Sequence, residues 1–193
     1  MSDPSLDFYD RHATTYVEQG DVNPRLAAFL ALLPAGGRIL ELGSGSGRDA
    51  LAMLQAGFAV EPTDGSAALA RQAEARLGRT VRLMAFDQLE AEQDFDGIYA
   101  SASLLHARRA ALPGIISRLH RALKPGGYAW ASFKDGTQEG HDGFGRYYNY
   151  LDRAALAAMW SGGAPWSSLA FESWDGLGYD RLPTRWHAVI ARR

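Results

Sequence analysis

The sequence predicts an α/β fold built on a parallel sheet with helices on both faces, and three observations carry that expectation. Between residues 38 and 133, short apolar runs alternate with amphipathic helical segments, the order that specifies a parallel sheet. The helical segments end at stop signals, Gly57, Gly78 and Lys124-Pro-Gly-Gly127, so the connections are short and right-handed crossovers set successive strands side by side. The first apolar run, Arg38 to Glu41, leads through Gly43, Gly45 and Gly47 into a helix, which opens a cleft at the carboxyl ends of the strands.

The elements follow in order. Two short amphipathic helices, about Leu6 to Gln19 and Pro24 to Leu33, precede the first strand and are placed to cover a cleft. The strand Arg38 to Glu41 is followed by a helix from Arg48 to Ala56, a strand from Ala59 to Asp64, and a helix from Ser66 to Leu77. A third strand is expected at Val81 to Ala85 and a fourth at Asp96 to Ala100. Then come a helix near Pro113 to Leu123 and a strand at Tyr128 to Phe133. Pro62 lies within the second strand and removes a backbone donor, so that strand is expected to be short or kinked. Beyond Phe133 the pattern changes to a Gly- and Tyr-rich loop, Asp135 to Tyr150, and a helix from Asp152, its N-cap, to Trp160. Two last strands, Ser168 to Ser173 and Arg185 to Ala191, are joined by the turn-rich Asp175-Gly-Leu-Gly178 and read as an antiparallel pair.

At 193 residues the chain fits a single domain. A formal charge of -2 gives no basic excess for binding phosphate backbones, so nucleic acid is not expected as a partner. Cysteine is absent, which excludes thiolate catalysis and Cys-ligated zinc. His12, His106, His120, His141 and His187 are scattered, and no metal is expected. The opening residues lack the basic and apolar regions of a secretory signal, and the longest apolar stretch, Leu26 to Leu33, is too short to span a membrane. A cytoplasmic protein is therefore expected. Lys124 and Lys134 are the only lysines among 20 basic residues, a usage that points to a GC-rich bacterial genome. The oligomeric state is left open.

Gly43, Gly45 and Gly47 lack a Cβ, so backbone there can touch a ligand. Such a turn is shared by nicotinamide-binding domains and by methyltransferases that use S-adenosylmethionine, and Gly45 to Ala50 also fits the dinucleotide pattern G-x-G-x-x-A. Glu41 tells against a pyrophosphate, which would meet a like charge two residues before Gly43, whereas a sulfonium with an α-amino group would be attracted. Asp64 ends the second strand about 20 residues beyond the turn, where a carboxylate can accept both ribose hydroxyls. Asp87, just past the third strand, is placed for an adenine amino group, with Gln88 and Leu89 lining the base. Strand-end acids also cap helices, and Ser66 is equally suited to cap the helix after Asp64.

From its first strand onward the chain resembles the class I S-adenosylmethionine-dependent methyltransferases. Ile39 to Gly47 matches the first motif of that family, Val60-Glu-Pro-Thr-Asp64-Gly-Ser66 the second, Asp94 to His106 the fourth-strand motif, and Ala122 to Gly127 the turn before the fifth strand. The resemblance implies a Rossmann-like sheet of seven strands in the order 3-2-1-4-5-7-6, with strand 7 antiparallel. It implies S-adenosylmethionine as cofactor. Glu41, Gly43, Ser44, Gly45 and Gly47 would lie near its methionine end, Asp64 with Gly65 and Ser66 at the ribose, Asp87 and Gln88 at the adenine, and Ser101 with Ala102 along the methionine chain. Phe8 to Tyr16 resembles the opening helix of small-molecule members. Tyr9 and Tyr16 share a helix face and would close over the sulfonium, making residues 1–35 a lid.

Methyl transfer requires an aligned nucleophile, exclusion of water and removal of any proton that the nucleophile carries. His106 is the candidate base. Lys134 and Arg146 are placed to bind an anionic small-molecule acceptor, with Tyr147, Tyr148 and Trp186 as pocket walls. The alternatives are a nicotinamide-dependent oxidoreductase and a non-catalytic binder of S-adenosylmethionine. The chain has no Asn-Pro-Pro-aromatic motif beyond the fourth strand, where Ala100-Ser-Ala-Ser103 stands instead, so oxygen, nitrogen, sulfur and metalloid acceptors all stay open.

Overall fold

A computed structural model describes residues 4–18 and 21–193. The elements run α1 (Pro4–Val17), α2 (Leu26–Leu30), β1 (Arg38–Leu42), α3 (Arg48–Gln55), β2 (Ala59–Asp64), α4 (Ala67–Leu77), β3 (Arg82–Leu83), β4 (Phe95–Ala100), α5 (Leu112–Ala122), β5 (Leu123–Lys134), β6 (Glu139–His141), β7 (Tyr147–Asn149), α6 (Arg153–Gly163), β8 (Ser168–Leu177) and β9 (Pro183–Arg192). The expected end of the first helix at Gln19 lies outside the described residues.

Seven strands form one sheet in the order β3-β2-β1-β4-β5-β9-β8. β1 pairs in parallel with β2 and β4, while β9 runs antiparallel to both β5 and β8. This is the implied order, with β8 and β9 as the sixth and seventh strands of the family. Alternation along β1 sends Leu40 and Leu42 into a core shared with α5 and α6, and Ile39 into a second core with Leu26, Phe29 and Met53. Both faces of the sheet are thereby covered, as a parallel sheet requires. Among the described residues no helix is long and apolar enough to cross a membrane.

Four local differences have physical reasons. Pro62 neither shortens nor kinks β2, which pairs with β1 in continuous register from Ala59 to Thr63. Asp64 accepts through its backbone oxygen from the amide of Met84, the residue after β3, so Pro62, two residues earlier, faces the same side. There β3 pairing starts only at Thr63, and no ladder donor is missed. The Lys-Pro-Gly-Gly segment is a bulge inside β5: its register against β4 jumps from Phe95↔Leu123 to Gly97↔Tyr128. The segment expected as a loop holds the hairpin β6–β7. α2 is shorter than the apolar run suggested, its last turns closing through Leu32 and Leu33 amides onto Phe29 and Leu30 carbonyls.

Candidate active site

The glycine turn sits at the carboxyl edge of β1, where backbone has to pass close to its neighbours. A Cβ on Gly43, whose φ is 77°, would lie 2.6 Å from the Ser103 Cβ, and one on Gly47, φ 74°, 3.1 Å from the Ala73 Cβ of α4. Gly47 thus serves helix packing rather than the cleft. Gly43 and Gly45 line the cleft with Asp64, Gly65, Asp87, Ser101, Tyr9 and Tyr16. Its volume is about 450 Å³.

Asp64 is 6% exposed. Its Oδ2 accepts from the Gly45 amide and its Oδ1 from the Ser66 amide, each at 2.8 Å. Burial raises its pKa to about 6 in spite of those two donors. Glu41 is 3% exposed, burial lifts it to about 8, and its Oε2 has no hydrogen-bond partner among the described residues. A buried carboxyl oxygen without a partner, below a turn that a Cβ would obstruct, fits a ligand with a cationic amine, whose charge would draw the carboxyl into its ionised form. Glu41 and Asp49 both stand at raised pKa there, chiefly through burial.

The remaining cofactor-side residues divide. Ser101 lines the cleft and its Oγ accepts from the Asn23 amide side chain at 3.0 Å. Ser44 is buried and donates to the Thr63 carbonyl at 3.1 Å. Ser66 is the N-cap of α4: its Oγ accepts from the Leu69 amide at 3.1 Å and donates to Asp10 at 2.6 Å. Gln88 Oε1 accepts from the Ala85 amide at 2.8 Å, and Gln88 does not line the cleft. Leu89 is in the core. The wall beside Asp87 is made instead by Met84, Ala85, Phe86 and, from α5, Ile115; the apolar Met84 and Phe86 flanking the third strand were the sequence signal for it.

A second chamber, of about 290 Å³, adjoins the cleft. The two cavities share Tyr9, Tyr16, Ala102 and His106. Ala102 is held there at φ 49°, an uncommon value for a residue with a Cβ, and its amide is anchored on Ser132 Oγ at 2.9 Å. His106 has a fixed tautomer: Nδ1 lies 2.7 Å from the Tyr147 carbonyl, which only accepts, so Nδ1 carries the hydrogen. Nε2 then accepts from the Tyr9 hydroxyl at 2.8 Å. Burial, foremost, raises the pKa of Tyr9 well above its ordinary value, so that phenol keeps its proton and donates it.

Lys134 is 7% exposed and faces the chamber, its Nζ 4.6 Å from the centre of the Tyr148 ring. Arg146 also lines the chamber but is 1% exposed and bound to Asp142, with Nε and Nη2 at 2.9 and 2.7 Å from Oδ2. Trp186 and Tyr148 are walls, as expected. Tyr147 is not: along β7 it points opposite to Tyr148, its hydroxyl bonds Glu139, and it meets the site only through its carbonyl. The sequence reading missed the β8–β9 tip. Leu177, Gly178, Tyr179 and Arg181 close the chamber, and the Tyr179 ring stacks on Tyr16 at 5.5 Å.

No curated protein matches the chain. Among solved structures it is similar to the 1,6-didemethyltoxoflavin-N1-methyltransferase of Burkholderia thailandensis, with TM-score 0.77 and 21% identity over 97% of this chain and 84% of that one. It is similar to the CcbJ methyltransferase of Streptomyces caelestis, with TM-score 0.75 and 18% identity over 99% of each chain. A further likeness is to the phosphoethanolamine N-methyltransferase 2 of Haemonchus contortus, with TM-score 0.77 and 16% identity over 100% of this chain and 60% of that one. At these identities the likeness shows the fold. The family model described as a methyltransferase domain matches residues 9–165, from α1 to the end of α6, which decides against the nicotinamide alternative. The chain belongs to the methyltransferase-domain family and is a class I S-adenosylmethionine-dependent methyltransferase.

Proposed function

We propose that the protein methylates a small-molecule acceptor held in the second chamber, as a single catalytic domain whose residues 1–35 form the lid. One observation carries the reading: the cofactor cleft and a separate ring-lined chamber meet on Tyr9, Tyr16, Ala102 and His106. The chamber's size, near the lower end of ordinary ligand sites of roughly 300–1,000 Å³, suits a compact molecule and not a polymer. The 1,6-didemethyltoxoflavin bound to the Burkholderia protein and the phosphomonomethylethanolamine bound to the Haemonchus protein are small molecules too. Of the lid, residues 1–3, 19 and 20 lie outside the described residues.

Glu41 and the Gly43–Gly45 backbone would hold the methionine end of S-adenosylmethionine, Asp64 the ribose and Asp87 the adenine. When bound, that cofactor supplies a methyl group already activated on a sulfonium and keeps the electron pair of the broken carbon–sulfur bond. The chain contributes alignment, exclusion of water and a path for the proton. As the acceptor forms its bond to the methyl carbon, its proton passes to the Tyr9 oxygen while the Tyr9 proton passes to His106 Nε2. The imidazolium so formed still donates from Nδ1 to the Tyr147 carbonyl. His106, the candidate base of the sequence, would therefore act through Tyr9.

Calorimetry with S-adenosylmethionine, S-adenosylhomocysteine and NADH tests the cofactor half, and release of S-adenosylhomocysteine on incubation with metabolite fractions tests the acceptor half. Methylation confined to protein or nucleic acid fractions would overturn the small-molecule reading.

A further inference from the structure

Four cationic side chains, Arg48, Lys134, Arg146 and Arg181, line the second chamber, and among the described residues no carboxylate does. Their states differ. Arg146 is satisfied by Asp142 and sits among rings, its guanidinium carbon 4.9 Å from the centre of Phe8, 5.2 Å from Tyr148 and 4.7 Å from Tyr179. Arg48 donates to the Val17 carbonyl at 3.2 Å. Lys134 is more than nine-tenths buried, yet among the described residues no acceptor lies within hydrogen-bond reach and no carboxylate within 4.0 Å of its Nζ. Asp180 and Asp142 act on it only from further away, and burial depresses its pKa. A desolvated ammonium aimed into a cavity is completed by an anion.

The rings give the chamber its second property. Tyr9, Tyr16, Tyr148, Tyr179 and Trp186 line it. Aromatic surfaces of this kind often hold cationic amines, but here Arg146 already stands near the Tyr9, Tyr148 and Tyr179 rings and Lys134 near Tyr148 and Trp186. An incoming ammonium would meet these two cations together with Arg48 and Arg181, and of the four only Arg146 has a carboxylate within 4.0 Å among the described residues. A flat, apolar or conjugated body meets no such opposition and gains ring contacts.

We infer that the acceptor is a compact planar acid, its anionic group received by Lys134 and its ring held among the chamber's aromatic faces, and that cationic amines are rejected. This rests on the methyl-transfer reading and narrows it.

The test uses the full chain saturated with S-adenosylhomocysteine. Binding is measured for hydroxylated benzoates and heteroaromatic carboxylates, for cyclohexanecarboxylate as a puckered acid, and for tyramine as an aromatic cation. The planar acids are expected to bind, cyclohexanecarboxylate at least tenfold more weakly, and tyramine not at all. Lys134→Met should weaken the acids tenfold or more, the scale of one charge-assisted hydrogen bond, and Lys134→Arg should restore part of the loss, with S-adenosylhomocysteine affinity unchanged in both. Should Lys134→Met fail to fold, the ranking of acid over cation in the parent protein decides. Tyramine binding as well as the acids, no binding by any acid, or acid affinities indifferent to Lys134→Met would overturn the inference while leaving methyl transfer standing. Failure of the parent protein to bind S-adenosylhomocysteine would strike the methyl-transfer reading itself.

Discussion

Replacing Asp64 by Ala separates the structural role of its carboxylate from the cofactor-binding role proposed for it. Its oxygens hold the Gly45 and Ser66 amides, each at 2.8 Å, and removing a buried acceptor costs about 1–3 kcal/mol for each donor left unpaired. Against that stands the cost of keeping the charge buried. The carboxyl rises from its ordinary 3.8 to about 6 in the folded protein, which at 1.36 kcal/mol per pH unit is about 3 kcal/mol. A folded pKa above the unfolded one means that this contribution is fully present below pH 3.8 and lost as pH rises through 6. At pH 8 the lost hydrogen bonds and the relieved burial nearly offset one another, so Asp64→Ala folds with modest loss. At pH 5 the parent has regained part of its stability, and the penalty of the substitution is larger by about 1 kcal/mol. Urea unfolding at the two pH values reads this difference. Calorimetry at pH 8 should show S-adenosylhomocysteine bound about 5- to 150-fold more weakly, the equivalent of 1–3 kcal/mol for ligand hydroxyls left without a charged acceptor. Equal penalties at both pH values would refute the electrostatic argument, and unchanged ligand affinity would remove Asp64 from the cofactor site.

Tyr9→Phe deletes only the hydroxyl between His106 Nε2 and the chamber, and should lower kcat by about 10²–10⁴-fold for an acceptor that must lose a proton, with cofactor affinity intact; an unchanged kcat would break the proposed proton path. Glu41 is raised from 4.5 to about 8, so the stability that its protonated form gives is full below pH 4.5 and lost as pH rises through 8. The melting temperature should therefore fall between pH 6 and pH 9, and Glu41→Gln should flatten that fall; a variant that melts with the same pH dependence as the parent contradicts it. The lid should move from one end. Asp10 holds the Ser66 hydroxyl and the Ala68 amide, and Ser5 accepts from the Tyr147 amide, so the first turns of α1 are pinned. Tyr16 rests beside Gly45, where a Cβ would meet its ring at 3.3 Å. Amide exchange over residues 12–17 should slow on adding S-adenosylhomocysteine more than over residues 5–10, and uniform exchange along α1 would leave it a fixed wall.

What could be read in the sequence follows from how locally each feature is determined. The sheet order, the glycine turn and Asp64 at its strand tip depend on short patterns with one physical solution: an apolar run, then a turn that admits no Cβ, then an amphipathic helix. Ser66 and Gln88 have two solutions within reach of the same short pattern, and in each the nearby backbone amide took the side chain, Leu69 for Ser66 and Ala85 for Gln88. The chamber proposed for the acceptor depends on parity and distance. Tyr147 and Tyr148 are adjacent in a segment without visible strand periodicity, and only the β6–β7 pairing determines which of them faces inward. Arg146 and Lys134 both read as free cations, yet a loop carboxylate four residues before Arg146 neutralises it, whereas nothing within 4.0 Å does so for Lys134 among the described residues. Tyr179 comes from the tip of a hairpin whose strands pair from Ser168↔Arg192 out to Leu177↔Pro183, well beyond the Trp186 position where β9 last pairs with β5. That overhang places Tyr179 against Tyr16 of α1. The cleft proposed for the cofactor is thus fixed by contiguous motifs, while the chamber proposed for the acceptor is assembled by α1, the strand ends and the β8–β9 tip. Substitutions at the tip should therefore change which acceptor is used before they change whether the cofactor binds.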